Sequence, residues 1–97
     1  MASVRDLKKD IDYLLYEVIS DCFAYSEVHP GTNTEKVSKI INDAVDFRND
    51  LVARINNPDG KDNPKIVRAY FKAIKNDLLS GTDKLFSRLS DLSKAGK

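Results

Sequence analysis

Nineteen residues, "YLLYEVISDCFAYSEVHPG" (13–31), hold the chain's single cysteine, Cys22, its single histidine, His29, and three of its four tyrosines, Tyr13, Tyr16 and Tyr25. A thiol with an imidazole as base is the chemistry of a nucleophilic enzyme, and it requires the two groups within ~3.2 Å. Seven residues of unbroken helix instead hold two positions about 10.5 Å apart along the axis. Cys22 and His29 therefore meet only if the chain bends sharply at "SEVHPG". Cys22 also sits inside a run of apolar positions, between Val18 and Tyr25. Burial there raises a thiol's pKa and makes it inert, so Cys22 reads as a packing residue. His29 precedes Pro30 where a first helix must stop, a place where an imidazolium complements the free carbonyls of the last turn. Zinc takes three or four ligands. One histidine and one cysteine do not supply them unless carboxylates or a second subunit complete the set.

The remaining candidate chemistry is weaker. Asp43, Asp46 and Asp50 recur at steps of three and four, on what reads as a solvated face of a second helix. A helix surface does not converge enough oxygens on calcium or magnesium. "NPDGKDN" (57–63) resembles the start of an acidic calcium loop but lacks the later glutamate. No Walker, dinucleotide-binding, zincin or nucleophile-elbow motif is present. Arg48 falls in an apolar stripe, between Ala44, Leu51 and Val52. It needs either a carboxylate, with Asp10, Glu17 or Asp77 within reach in an antiparallel bundle, or a route to water. Tyr25 and Tyr70 read as core residues with their hydroxyls reaching out, and Tyr13 and Tyr16 as edge residues of the first helix. Lys65, Arg68, Lys72 and Lys75 line one flank of a third helix and are the candidate anion contacts. That flank has no interleaved aromatics for base stacking.

These residues sit on elements that the chain punctuates plainly. "HPGTN" (29–33) and "NNPDGKDNP" (56–64) contain all three prolines, and both end helices. Between them run three segments with apolar residues at steps of three and four, the mark of amphipathic helices. The spacing predicts helices over about 3–28, 33–57 and 64–94. Ser3 with Asp6 and Thr32 with Glu35 have capping-box spacing, and Asn63 before Pro64 suits an N-cap followed by proline in the first helical position. Gly81 lies inside the third segment, where it costs about 1 kcal/mol. The apolar stripe nevertheless keeps phase from Leu78 to Leu85 to Leu92. One long helix is expected, with a glycine that lets a neighbour approach, and a kink at Gly81 as the alternative. Its last turns are expected to overhang.

With 97 residues, 41% apolar and 32% charged, the chain is one domain, 1–97, too apolar for disorder. No stretch reaches the ~18 apolar residues of a membrane span. Three helices with short connections give an all-α, antiparallel up-down-up bundle. Net charge is +1 overall, yet residues 1–31 carry 3 basic against 6 acidic side chains and residues 64–97 carry 8 against 3. An acidic first helix and a basic third are expected to attract each other side by side.

"SVRDLKKDID", "KVSKIINDAVDFRNDLVARIN" and "YFKAIKNDL" resemble a family of small, uncharacterised all-helical proteins from Bacteroidetes-type bacteria, over residues 3 to about 92. The resemblance implies a bacterial cytosolic protein whose third helix runs through Gly81. It lends no activity, cofactor or site residue. The opening "MASVRDLKKD" has no apolar signal core, and a single cysteine fits the same reducing cytoplasm.

The expected function is that of a non-catalytic structural or protein-interaction module with no cofactor and no metal. Ile19, Phe23, Leu79 and Phe86 exceed what three helices bury and form the candidate interaction surface, pointing to a homodimer. The alternative is a nucleic-acid-associated accessory protein that uses the basic flank of the third helix.

Overall fold

In the computed structural model, which describes residues 4–57 and 63–95, three helices pack against one another: α1 (Val4–Val28), α2 (Thr34–Asn56) and α3 (Pro64–Ala95). The sequence periodicity placed each within about a residue. The buried core is drawn from these stripes: Leu7, Ile11, Leu15, Val18, Cys22 and Tyr25 from α1, Val37, Ile40, Ala44, Leu51 and Ile55 from α2, and Ile74, Leu78, Leu85, Leu89 and Leu92 from α3, whereas Tyr70, expected in the core, is only half-buried against it.

Polar contacts fix the helices in register. Arg54 of α2 pairs with Asp77 of α3 at 2.9 Å. Eleven residues back along α2 and eleven forward along α3, Asp43 pairs with Arg88 at 2.9 Å, as two antiparallel rods in register require. The Tyr25 hydroxyl donates to the Leu92 carbonyl at 3.4 Å, which brings the C-terminal ends of α1 and α3 together. The order is up, down, up.

This register corrects where α3 overhangs. Leu89 and Leu92 in its last turns are buried, whereas nothing from Pro64 to Ala73 is. The Tyr70 hydroxyl donates to the Arg54 carbonyl at 2.8 Å, so Tyr70 sits level with the end of α2. With the C-terminal ends of α1 and α3 matched, the surplus length of a 32-residue helix over a 25-residue one projects at its N-terminus. At 1.5 Å per residue α3 is ~48 Å long, close to the 53 Å long axis of the molecule.

Helix α3 is continuous through Gly81. The Phe47 ring of α2 lies over that glycine so closely that a Cβ there would collide with its Cζ and stand 2.6 Å from its Cε2. The adjacent Thr82 is buried, and its hydroxyl is satisfied by the Leu78 carbonyl one turn back, at 2.6 Å.

Of the three expected caps, Asn63 is present, its Oδ1 accepting from the Lys65 amide at 3.0 Å. Ser3 lies outside the described residues. The Thr32–Glu35 capping box is not formed. Asn33 occupies the N-cap position in a left-handed conformation (φ 54°) with no side-chain cap bond. Its amide instead donates to the Tyr25 hydroxyl at 2.9 Å. The side chain thus ties the turn to α1 rather than closing α2.

Candidate interaction surface

Helix α1 presents two opposed faces. Its core face ends in Cys22, wholly buried, and Tyr25, whose hydroxyl is held between Asn33 and Leu92. Burial, reinforced by the charge of Asp21, pushes the Cys22 thiol up, with Arg88 pulling the other way. A thiol held protonated and out of water is a poor nucleophile. His29 follows the last residue of α1, with its amide donating to the Tyr25 carbonyl at 2.8 Å. Its ring packs on the Tyr25 ring with centroids 4.7 Å apart. Among the described residues no hydrogen bond joins His29 to Cys22, and no group of three or more His, Cys, Asp and Glu side chains is placed to hold a metal. The "NPDGKDN" loop lies mostly outside the described residues.

The opposite face of α1 is open and aromatic. Tyr13, Tyr16 and Phe23 are 65%, 69% and 58% exposed. Beside them a shallow groove runs between α1 and α2, floored by Leu15 and Ala44 and edged by Ile19 and Val45. The Arg48–Asp12 pair borders the same groove. Ile19 is half-buried against the core, while Val45 stays exposed.

The four residues singled out from the sequence do not form one patch. Ile19 lines the α1–α2 groove. Phe86, also half-buried against the core, lines a second groove between α1 and α3 with Tyr25, Val28 and His29. Phe23 is one turn from Ile19 on α1. Leu79, 50% exposed, is two turns from Phe86 on α3. Tyr13 and Tyr16, expected at an edge of the first helix, are part of the apolar surface together with Val45 of α2. The signal for the tyrosines was a second three-four repeat running opposite the core stripe.

Several electrostatic expectations change. Arg48 pairs with Asp12, Nε to Oδ1 at 2.9 Å, on the open surface. Its helical position borders α1 rather than the core, so the partners expected at Asp10, Glu17 and Asp77 are not used. Asp77 is taken by Arg54. Asp43 is not on a solvated acidic face: it is half-buried against α3, accepts from Arg88 at 2.9 Å and lies 3.7 Å from Lys39. The Arg88 hydrogen bond, helped by the charges of Arg88 and Lys39, holds the Asp43 carboxyl below its ordinary range against a smaller opposing effect of burial. Asp46 and Asp50 are exposed. Among the described residues, every ion pair between helices runs through α2, so the acid-to-base attraction expected between α1 and α3 makes no close pair.

Lys65, Arg68, Lys72 and Lys75 are all exposed along one flank of α3, and none is in an ion pair among the described residues. No helix is long and apolar enough to cross a membrane among the described residues. No protein-family model, curated protein or solved structure matches the chain.

Proposed function

We propose that this chain is a non-catalytic structural or interaction module of the bacterial cytosol that acts by contact and associates with itself. The observation that carries this reading is the exposure of Tyr13, Tyr16 and Phe23 on one helix face, 65%, 69% and 58%. A buried aromatic side chain removes about 150–250 Å² from water. At about 25 cal/mol/Å², covering the exposed half of each ring is worth roughly 2 kcal/mol before the costs of association. The buried thiol and the histidine packed at a tilt on the Tyr25 ring support a role without covalent chemistry. Sedimentation equilibrium from about 1 to 100 µM tests the reading: the mass is expected to rise from one chain toward two, and a one-chain mass throughout removes self-association.

A second reading has its own observation, the exposed basic flank of Lys65, Arg68, Lys72 and Lys75, none of them in an ion pair among the described residues. Such a flank neutralises phosphates and makes nucleic-acid affinity fall steeply with salt. Heparin elution that shifts with salt, together with filter retention of DNA or RNA, supports that reading; no retention at low salt ends it.

A further inference from the structure

We infer that the occupant of the open face of α1 is α1 of a second copy of this chain, packed antiparallel about a two-fold axis level with Val18. The inference rests on the self-association reading and specifies its surface.

Lys9, Tyr13, Tyr16, Ser20, Phe23 and Glu27 follow one another at steps of four, three, four, three and four. This is the repeat that keeps a straight seam on one side of a helix and builds two-helix interfaces. Here it runs opposite the buried stripe of Ile11, Leu15, Val18 and Cys22, and all six residues are exposed. From Lys9 to Glu27 the seam is ~27 Å long.

The ends of the seam determine its partner. Lys9 and Glu27 stand equally far on either side of residue 18, and so do Tyr13 and Phe23, and Tyr16 and Ser20. A second copy reversed about that point brings Lys9 onto the partner's Glu27, twice over by symmetry. It lays Tyr13 on the partner's Phe23, and gives bulky Tyr16 the small partner's Ser20 to pack against. A parallel copy would set lysine on lysine and glutamate on glutamate. Neither Lys9 nor Glu27 is in an ion pair among the described residues, so both are available to a second chain. Val45, exposed beside Tyr13 and Tyr16 in the adjoining groove, widens the contact toward α2. A two-fold interface uses the same patch on both subunits, and a patch complementary to itself only when reversed meets that condition.

Charge reversal of the full chain tests this. Sedimentation equilibrium at low salt compares the wild type, Lys9→Glu, Glu27→Lys and the double variant Lys9→Glu with Glu27→Lys, each checked for native helicity by circular dichroism. Each single change turns two attractive contacts repulsive and is expected to weaken the dimer about tenfold or more. The double change restores attraction with the signs exchanged and is expected to return the dissociation constant to within about threefold of wild type. A stable dimer indifferent to the single changes, or a double variant as weak as either single, overturns this surface and leaves self-association standing. A wild type that stays monomeric, its open face then serving a different partner, overturns both.

Discussion

Cys22 shows how a single side chain can look reactive in a sequence and be silent in a structure. Its type invited catalysis; its place in the stripe buries it between two core residues, Val18 four positions before and Tyr25 three positions after. Its labelling by a thiol reagent under native conditions is expected to be roughly a thousandfold slower than in denaturant, since reaction must wait for opening of the bundle. A rate close to the denatured one would show an accessible thiol. Asp43 is the converse case, a surface acid by pattern that is tied to Arg88 in the fold. Its carboxyl is held below its ordinary range. The stabilisation it lends is therefore present above the unfolded value and lost as pH falls through the folded one. Urea midpoints of the wild type and Asp43→Asn are expected to differ near neutrality and to converge as pH drops below about 4. A gap that persists undiminished at low pH would contradict the pairing. Arg48 was legible as a residue needing a carboxylate. The identity of that carboxylate, Asp12, was not, because it depends on helix register, which periodicity within one helix does not specify.

At the scale of elements, the two breaks and three stripes were sufficient to place α1, α2 and α3, because proline and a phased apolar repeat act locally. What the local pattern could not supply was how the ends meet. The capping-box spacing of Thr32 and Glu35 was overruled when Asn33 bonded Tyr25 across the turn. The overhang of α3 fell at its start because the ends of α1 and α3 coincide near Tyr25 and Leu92. Gly81 was correctly read as a site of close approach, and its neighbour is Phe47. Gly81→Ala gains about 1 kcal/mol of helix propensity. Displacing the half-buried Phe47 ring costs about 1–3 kcal/mol. The net expectation in urea denaturation is a loss of about 1 kcal/mol, removed when Phe47→Ala is already present. A stabilised Gly81→Ala protein would show that the ring yields freely.

For the whole molecule, three helices bury one core and leave a second apolar seam on α1. Ile19 and Phe86 were read as surplus, yet each tucks against the core from a different side. Phe23 and Leu79, also expected as surplus, are exposed, and so are Tyr13, Tyr16, Val28 and Ile66, of which Tyr13, Tyr16 and Phe23 share one face of α1. This distinction was only half visible in the sequence, since a wide apolar arc does not say which of its margins a neighbouring helix covers. Among the described residues, the ion pairs that bind α2 to both neighbours leave the charged ends of the α1 seam uncommitted. An acidic first helix thus keeps one well-placed lysine for use outside its own bundle.

The most direct measurement of this account is the solution mass of Tyr16→Lys with Phe23→Lys beside that of the wild type at the same concentration, about 100 µM. Both positions are exposed, so the variant is expected to keep wild-type helicity and melting behaviour while its mass stays at one chain and the wild type approaches two. Equal masses for the two proteins would contradict the claim that α1's outer face is where this molecule makes contact.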